Sequence, residues 1–360
     1  MMKRLLFLLL SFLLVILTAC IKQQNLDEIT IFIACAFDEV KNNQIEFTIS
    51  TPKYKTKNPG SVTNIVLSKV GQTSADIKSL MNLQLNQPIN TGKISLILFG
   101  KNLATKGLSK ELDVAWRDAQ ASRLMYLAVV DGSAKELLQS NFSFDDEKGM
   151  FLVNLLETNV KKGIVPSQNL HEFEYSLTNK GMDPVLPLLK LKGDQVTISG
   201  LALFKDDKYV TSLNVKQMNL FKLLHNNVKQ GTLEAQLEDG SHVVVTNVGS
   251  KVNYEIEKDT KNTTVKINLS INSQITESEG VIFPSQEIQR LKEIFENDIT
   301  TACMDLIRLF KKEGVDPLGL GDFVRSRTRN WNEDEWRQQY RSLNVSLNVK
   351  MNLTETGIQK

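Results

Sequence analysis

Cysteine and histidine are scarce in this chain, three of each among 360 residues. No CxxC pair, no HExxH and no Cys/His cluster at ligand spacing occurs, so neither a disulfide framework nor a zinc site can be read from it. His171, His225 and His242 lie far apart in sequence and read as surface or packing residues. The Gly-x-Ser-x-Gly elbow, the Gly-x4-Gly-Lys-Ser/Thr phosphate loop and GxGxxG are missing as well, which removes the hydrolase, nucleotide and dinucleotide signatures together. Ser50-Thr51-Pro52-Lys53 fits the SxxK spacing of penicillin-binding enzymes, but a proline sits inside it and no Ser-Asp-Asn or Lys-Thr-Gly element accompanies it. These absences predict no enzyme: no catalytic residue, no metal and no cofactor. No long basic block is present, so the electrostatic footprint of a nucleic-acid binder is lacking. After Leu17 no apolar run approaches the roughly 18 residues of a membrane-spanning helix, and no fixed period marks a solenoid.

What the chain does have stands at its start. Met1-Met2-Lys3-Arg4 carries two cations, an apolar run broken only by Ser11 follows from Leu5 to Leu17, and Leu17-Thr18-Ala19-Cys20 closes it. This is the pattern of a secretory signal (1–20) ending in a lipobox, with Leu17, Thr18 and Ala19 as the cleavage recognition residues. Cleavage before Cys20 leaves a lipid-modified cysteine as residue one, its thiolate being the nucleophile that accepts the diacylglyceryl group, so that residue 20 becomes an S-diacylglycerol, N-palmitoyl cysteine. Two acyl chains, at about 0.8 kcal/mol per buried CH2, anchor stably where one chain is reversible. The predicted location is the outer face of a bacterial membrane, with the bilayer held through Cys20. Removing the signal takes two of the 43 basic side chains and none of the 41 acidic ones, so the mature chain is formally neutral. Attachment must then come from lipid and not from a polybasic surface.

Patterning along the rest predicts a mixed α/β, α+β chain with several domains, its mixed sheets packed with helices. Alternation at Ile29, Ile31 and Ile33, then Ile45, Phe47 and Ile49, predicts a hairpin around Asn42-Asn43. Strands at 65–70, 94–99 and 124–130 interleave with helices at 74–85, 150–160 and 170–179. Gly181, Pro184 and Pro187 lead towards a boundary near Lys192-Gly193-Asp194, dividing an N-terminal domain (21–192) from a C-terminal region (193–360), itself divisible near 255. Strands at 196–204 and 208–213 flank a tight turn at Asp206-Asp207, a helix covers 215–224, and short strands follow at 233–237, 243–248 and 252–256. A strand at 265–275 precedes the longest helix, capped near Ser285 and running to Gly314. Asp316-Pro317 reads as an N-cap with proline at the first helical position. Cys35 and Cys303 are read as buried free thiols in preference to a disulfide. Trp116 reads as a packed indole, and Trp331 and Trp336, five residues apart, as one core residue and one cover over a groove.

These residues resemble the Ger(x)C or GerAC-like lipoproteins, the C subunits of bacterial spore germinant receptors. The likeness rests on Cys20 followed by Asp27-Glu28-Ile29; on Leu98-Phe99-Gly100-Lys101-Asn102-Leu103-Ala104 with Gly107-Leu108; and on the 113–118 segment with Arg117. It continues through Ser199-Gly200-Leu201-Ala202-Leu203-Phe204-Lys205-Asp206, the 316–321 turn and the two late tryptophans. The resemblance implies a three-domain α/β fold and a peripheral subunit on the outer leaflet of the spore's inner membrane. It also implies two integral membrane subunits as partners and a role in scaffolding and signal coupling without catalysis. The alternative is a surface lipoprotein that binds a small solute for a transporter.

Overall fold

The alternation between residues 29 and 51 seeds the largest of three sheets among the described residues. The computed structural model describes Arg4 and residues 29–41, 44–54, 62–141, 147–237, 239–258, 263–279 and 283–355. Strands β2 (Ala34–Val40) and β3 (Gln44–Tyr54) form the expected hairpin, Val40 opposite Gln44 and Ala34 opposite Ser50; its turn, 42–43, lies outside the described residues. The first arm is split, because pairing lapses at Phe32 and Ile33 and β1 (Thr30–Ile31) runs parallel to β5 (Ile89–Asn90). Beside the hairpin stand β4 (Val62–Gly71) on one side and, on the other, the parallel strands β6 (Leu96–Gly100), β7 (Tyr126–Val130) and β8 (Val185–Lys192). Antiparallel β9 (Gln195–Lys205) and β10 (Lys208–Asn214) complete the order β10-β9-β8-β7-β6-β2-β3-β4.

The central strands read LILFG and YLAVV and are buried almost throughout, as a parallel sheet covered on both faces requires. One cover is α1 (Ser74–Asn82), α2 (Lys101–Lys106), α3 (Ser109–Arg117) and α6 (Leu170–Thr178), which place Ile77, Leu103, Leu112 and Phe173 in a core with Phe37, Phe99 and Phe204. The other is α4 (Ala134–Gln139) and α5 (Lys148–Lys161), with Leu137, Leu152 and Leu156 against Leu96, Leu98 and Ala128.

Residues 185–192, which the prolines make look like linker, are a strand. Pro187 is tolerated because β7 pairs with β8 only at Leu188 and Leu189, so no ladder bond on that flank is lost. Gly193-Asp194 is the tip of the β8–β9 hairpin, Lys192 opposite Gln195, and the eight-stranded sheet runs on past it to β10. At Gly200 a β-carbon would stand 1.8 Å from the Leu213 carbonyl oxygen, so only glycine lets β10 pair there.

The second sheet has the order β11-β12-β13-β14: β11 (Gly231–Gln236), β12 (His242–Lys258), β13 (Thr263–Glu277) and β14 (Asn344–Glu355). The break expected at Gly249-Ser250 is instead a bulge; β12 is continuous, its register shifting between Asn247 and Gly249, and Glu255 lies mid-strand. Helix α8 (Ser285–Glu313) carries the chain across to β14, parallel to β13, and ends as expected at Gly314 with φ +70. Its Leu291, Phe295, Ile299, Leu306 and Phe310 share a core with Val265, Ile267, Leu269 and Ile271. Helix α7 (Val215–His225) is wedged between the sheets, against β9 and β10 on one side and β12, β13 and α8 on the other. Asn214 and Gln217 form its capping box. Cys35 and Cys303 are free thiols buried in different cores, and burial pushes the Cys303 thiol up to about 12 and the Cys35 thiol higher still. The mixed α/β, α+β class expected from patterning is the class observed.

Candidate functional site

Two Asp-Pro dipeptides, Asp183-Pro184 before β8 and Asp316-Pro317 after α8, meet where the larger sheet joins the C-terminal helices. A residue before proline is kept out of the helical region, and here the two aspartates lock onto each other. Asp316 N–H donates to Asp183 Oδ2 at 2.7 Å, and Asp183 N–H donates to the Asp316 carbonyl at 3.0 Å. The Asp183 carboxylate also accepts from Lys205 Nζ at 2.9 and 3.1 Å and from Asp206 N–H at 3.3 Å. The Asp316 carboxylate accepts from Leu320 N–H at 3.0 Å and Gly321 N–H at 2.7 Å.

Asp316 is therefore not the N-cap that the sequence suggests. Helix α9 (Leu320–Arg325) starts after Gly319, whose φ of +67 folds the 316–319 turn back so that the carboxylate reaches the first helical N–H groups from outside. Beside it the chain passes so closely that a β-carbon on Gly181 would lie 2.5 Å from the Gly321 carbonyl carbon, and one on Gly321 would lie 2.3 Å from Trp336 Nε1. Trp336, on α10 (Glu333–Tyr340), is buried and packs 6.0 Å from the Tyr340 ring and 6.5 Å from half-buried Trp331. One tryptophan is core and the other its cover, in line with the spacing argument.

The β9–β10 turn is held from both sides. Asp206, with φ +53, accepts from Arg337 at 3.0 Å, and the same guanidinium reaches Glu333 at 2.9 Å. Asp207 takes the N–H groups of Leu108 at 3.1 Å and Ser109 at 3.0 Å, where a β-carbon on Gly107 would collide with its carboxylate at 2.6 Å. Asp183, Lys205, Asp316, Trp336 and Arg337 line a cleft of about 460 Å³. The carboxylates and cations among them are already bonded to protein groups, so this arrangement holds segments together. It does not present a free nucleophile and base.

Burial, reinforced by Asp183 nearby, raises the Asp316 carboxyl to about 7 against the pull of its two N–H bonds, and burial together with these aspartates raises the Tyr340 phenol well above its ordinary value. The folded protein thus keeps the Asp316 proton up to about pH 7, whereas an unfolded aspartate releases it near 3.8. Folding takes up a proton between those values, so this group's contribution is full below the lower one and is lost as pH rises through the upper. Asp316→Asn is expected to remove that slope. Between about pH 5 and 7 the wild type should lose roughly 1 kcal/mol per pH unit relative to the variant, measured as urea unfolding free energies of both proteins across the range.

In open α/β sheets the usual ligand crevice is at the carboxyl ends of the strands where their order reverses, here between β2 and β6. Asp38 fills it: its carboxylate accepts the N–H groups of Ala134 at 2.9 Å and Lys135 at 2.7 Å, and a β-carbon on Gly100 would lie 2.1 Å from Oδ1. Lys101 and Lys190 close on Asp131 beside it, at 2.9 and 3.4 Å. The histidines occupy three separate settings: His171 is exposed on α6, His225 stacks on Phe221 with burial lowering its pKa, and His242 Nδ1 sits 2.7 Å from Glu234. Among the described residues no three His, Cys, Asp or Glu side chains converge as a metal site.

Leu17, Thr18, Ala19 and Cys20 lie outside the described residues. The structure does bring together most segments that carry the family resemblance: Gly100 at Asp38, Gly107-Leu108 on Asp207, Lys205-Asp206 on Asp183, and the 316–321 turn under Trp336. Asp183 and Arg337 escape sequence reasoning; the doubled Asp-Pro is the one signal that could have marked Asp183.

The comparisons with known proteins agree with this convergence. Residues 22–191 match the family described as spore germination protein N-terminal domain, and residues 199–357 match spore germination B3/GerAC-like, C-terminal. The chain is 30% identical to spore germination protein GerQC of Bacillus cereus, over 99% of both chains. It is 20% identical to the putative spore germination protein YfkR of Bacillus subtilis (strain 168), over 96% of this chain and 94% of that one. The crystal structure of the GerBC protein superposes with a TM-score of 0.61 at 15% identity, covering 92% of this chain and 99% of the other, and so shares its fold. With both halves matched in order and nearly every residue covered, the chain belongs to the GerAC family of spore germination proteins.

Proposed function

We propose that this chain is the lipid-tethered, non-catalytic subunit of a nutrient receptor that triggers spore germination. The observation that carries the reading is the match of both family halves along essentially the whole chain. In this reading Leu17-Thr18-Ala19 direct cleavage, Cys20 receives the lipid, and the folded region stands on the outer face of the spore's inner membrane beside two integral membrane subunits. Among the described residues no helix is long and apolar enough to cross a membrane, which is consistent with an anchor supplied by Cys20. Tethering raises the local concentration of a soluble module for membrane partners, so modest interfaces suffice. A non-catalytic role is supported by a switch-point crevice filled by Asp38 and by a junction whose charges are bonded to one another. The alternative, a surface lipoprotein that delivers a small solute to a transporter, draws support from one cavity, lined by lysines, between α7 and β12.

Spores lacking the gene, in a background with no paralogue, are expected to lose the fall in optical density that follows nutrient addition. An undiminished nutrient response would overturn the receptor assignment.

A further inference from the structure

The roomiest cavity described lies away from the Asp183–Asp316 junction, between α7, the end of α5 and the β11–β12 pair, with a volume of about 760 Å³. That is within the usual range for small-molecule sites. Its charge is of one sign: Lys162, Lys222 and Lys229 line it, and no Asp or Glu does among the described residues. Lys162 and Lys229 are exposed at the rim, but Lys222 is only 6% exposed. Lys222 has no carboxylate or hydrogen-bond partner among the described residues, and burial alone pulls its ammonium down to about 8. Its Nζ lies 3.5 Å from the point that a β-carbon on Gly163 would occupy, and Gly163, at φ +69, is where a side chain is disfavoured in any case.

Asn247 also lines the cavity, but its amide nitrogen is sealed off from it. Asn247, at the β12 bulge and 2% exposed, uses Oδ1 to accept from Gly249 N–H at 2.8 Å, while its Nδ2 is buried with no acceptor among the described residues. Lys222 presents its cation to the cavity from a largely buried side chain, with no lining acid among the described residues to pair it. The rest of the wall is largely apolar, Leu223 and Val248 among it, and Val248 is half exposed at 51%.

We propose that this cavity binds a small amphipathic carboxylate, its oxygens on Lys222 Nζ and its apolar end against Leu223 and Val248. A carboxylate supplies the acceptor that Lys222 lacks, and a charge-assisted bond is the strong kind available to a largely buried lysine. The site is independent of the lipid anchor and of the receptor role.

Isothermal titration of the full-length chain in non-ionic detergent tests this with four probes: isovalerate, acetate, isoamylamine and inorganic phosphate. Isovalerate is expected to bind saturably, and about tenfold or more tighter than acetate because of the apolar wall. Lys222→Met is expected to weaken isovalerate about tenfold or more while keeping the thermal midpoint at or above that of the wild type, since no hydrogen bond or ion pair of Lys222 among the described residues is lost. The proposal is overturned if the wild type shows no saturable isovalerate binding, or if a folded Lys222→Met protein binds it equally well. It is also overturned if acetate matches isovalerate, as the acidic side chain of a protein partner would, or if the amine or phosphate binds as tightly.

Discussion

Replacing Asp183 with alanine is expected to destabilise the protein by about 3 kcal/mol or more. One carboxylate there accepts the N–H of Asp316, the N–H of Asp206 and the ammonium of Lys205. The ion pair is the smaller part of the loss, because Lys205 is about a third exposed, at 32%, and water screens it. The larger part is the buried Asp316 N–H left without an acceptor, at about 1–3 kcal/mol, with a smaller loss at the Asp206 N–H, which sits 3.3 Å away on an exposed turn and can bond water. Against total stabilities of about 5–15 kcal/mol this is a severe loss. Asp183→Asn keeps one acceptor and should fall between, while Lys205→Met should cost under about 1 kcal/mol. Urea midpoints of the three variants check the order. Equal losses for Asp183→Ala and Lys205→Met would mean that the ion pair, and not the backbone bonds, holds the junction.

The same residues show what could be read from sequence and what could not. Periodicity located β13 and α8 because each buries one continuous face, and β2, β3 and β9 because their apolar residues recur through a sheet covered on both faces; local pattern is enough for either. It failed at β8, where Pro184 and Pro187 look like linker; only the neighbouring strands reveal that Pro187 stands where β7 no longer pairs. It failed again at Asp316, since the cap rule assumes that a carboxylate bonds the helix immediately after it, and Gly319 intervenes. The 206–207 turn was legible, but its partners Asp183, Ser109 and Arg337 lie 23, 98 and 131 positions away in sequence. The cavity at Lys222 was invisible for the same reason, a lysine on an amphipathic helix being an ordinary solvated residue until β12 is laid over it.

Cys20→Ala is the other change with a large expected effect, and it acts on no contact within the fold. An acyl chain contributes about 0.8 kcal/mol per buried CH2, so on the proposed reading the variant, left without lipid, loses stable anchoring. On the same reading the chain without residues 1–20 is formally neutral, and its sequence has no long basic block to hold an anionic surface. Detachment would also remove the effective-concentration advantage of tethering, on the order of 10²–10⁴-fold for linked sites, so that contacts adequate for a tethered subunit no longer suffice. The decisive measurement is membrane fractionation together with nutrient-triggered germination in spores whose sole copy carries Cys20→Ala. The expected result is a stable, normally abundant protein in the soluble fraction and loss of the nutrient response. Retention of the variant with the membrane, or a full nutrient response from the detached protein, would contradict the tethered-subunit function.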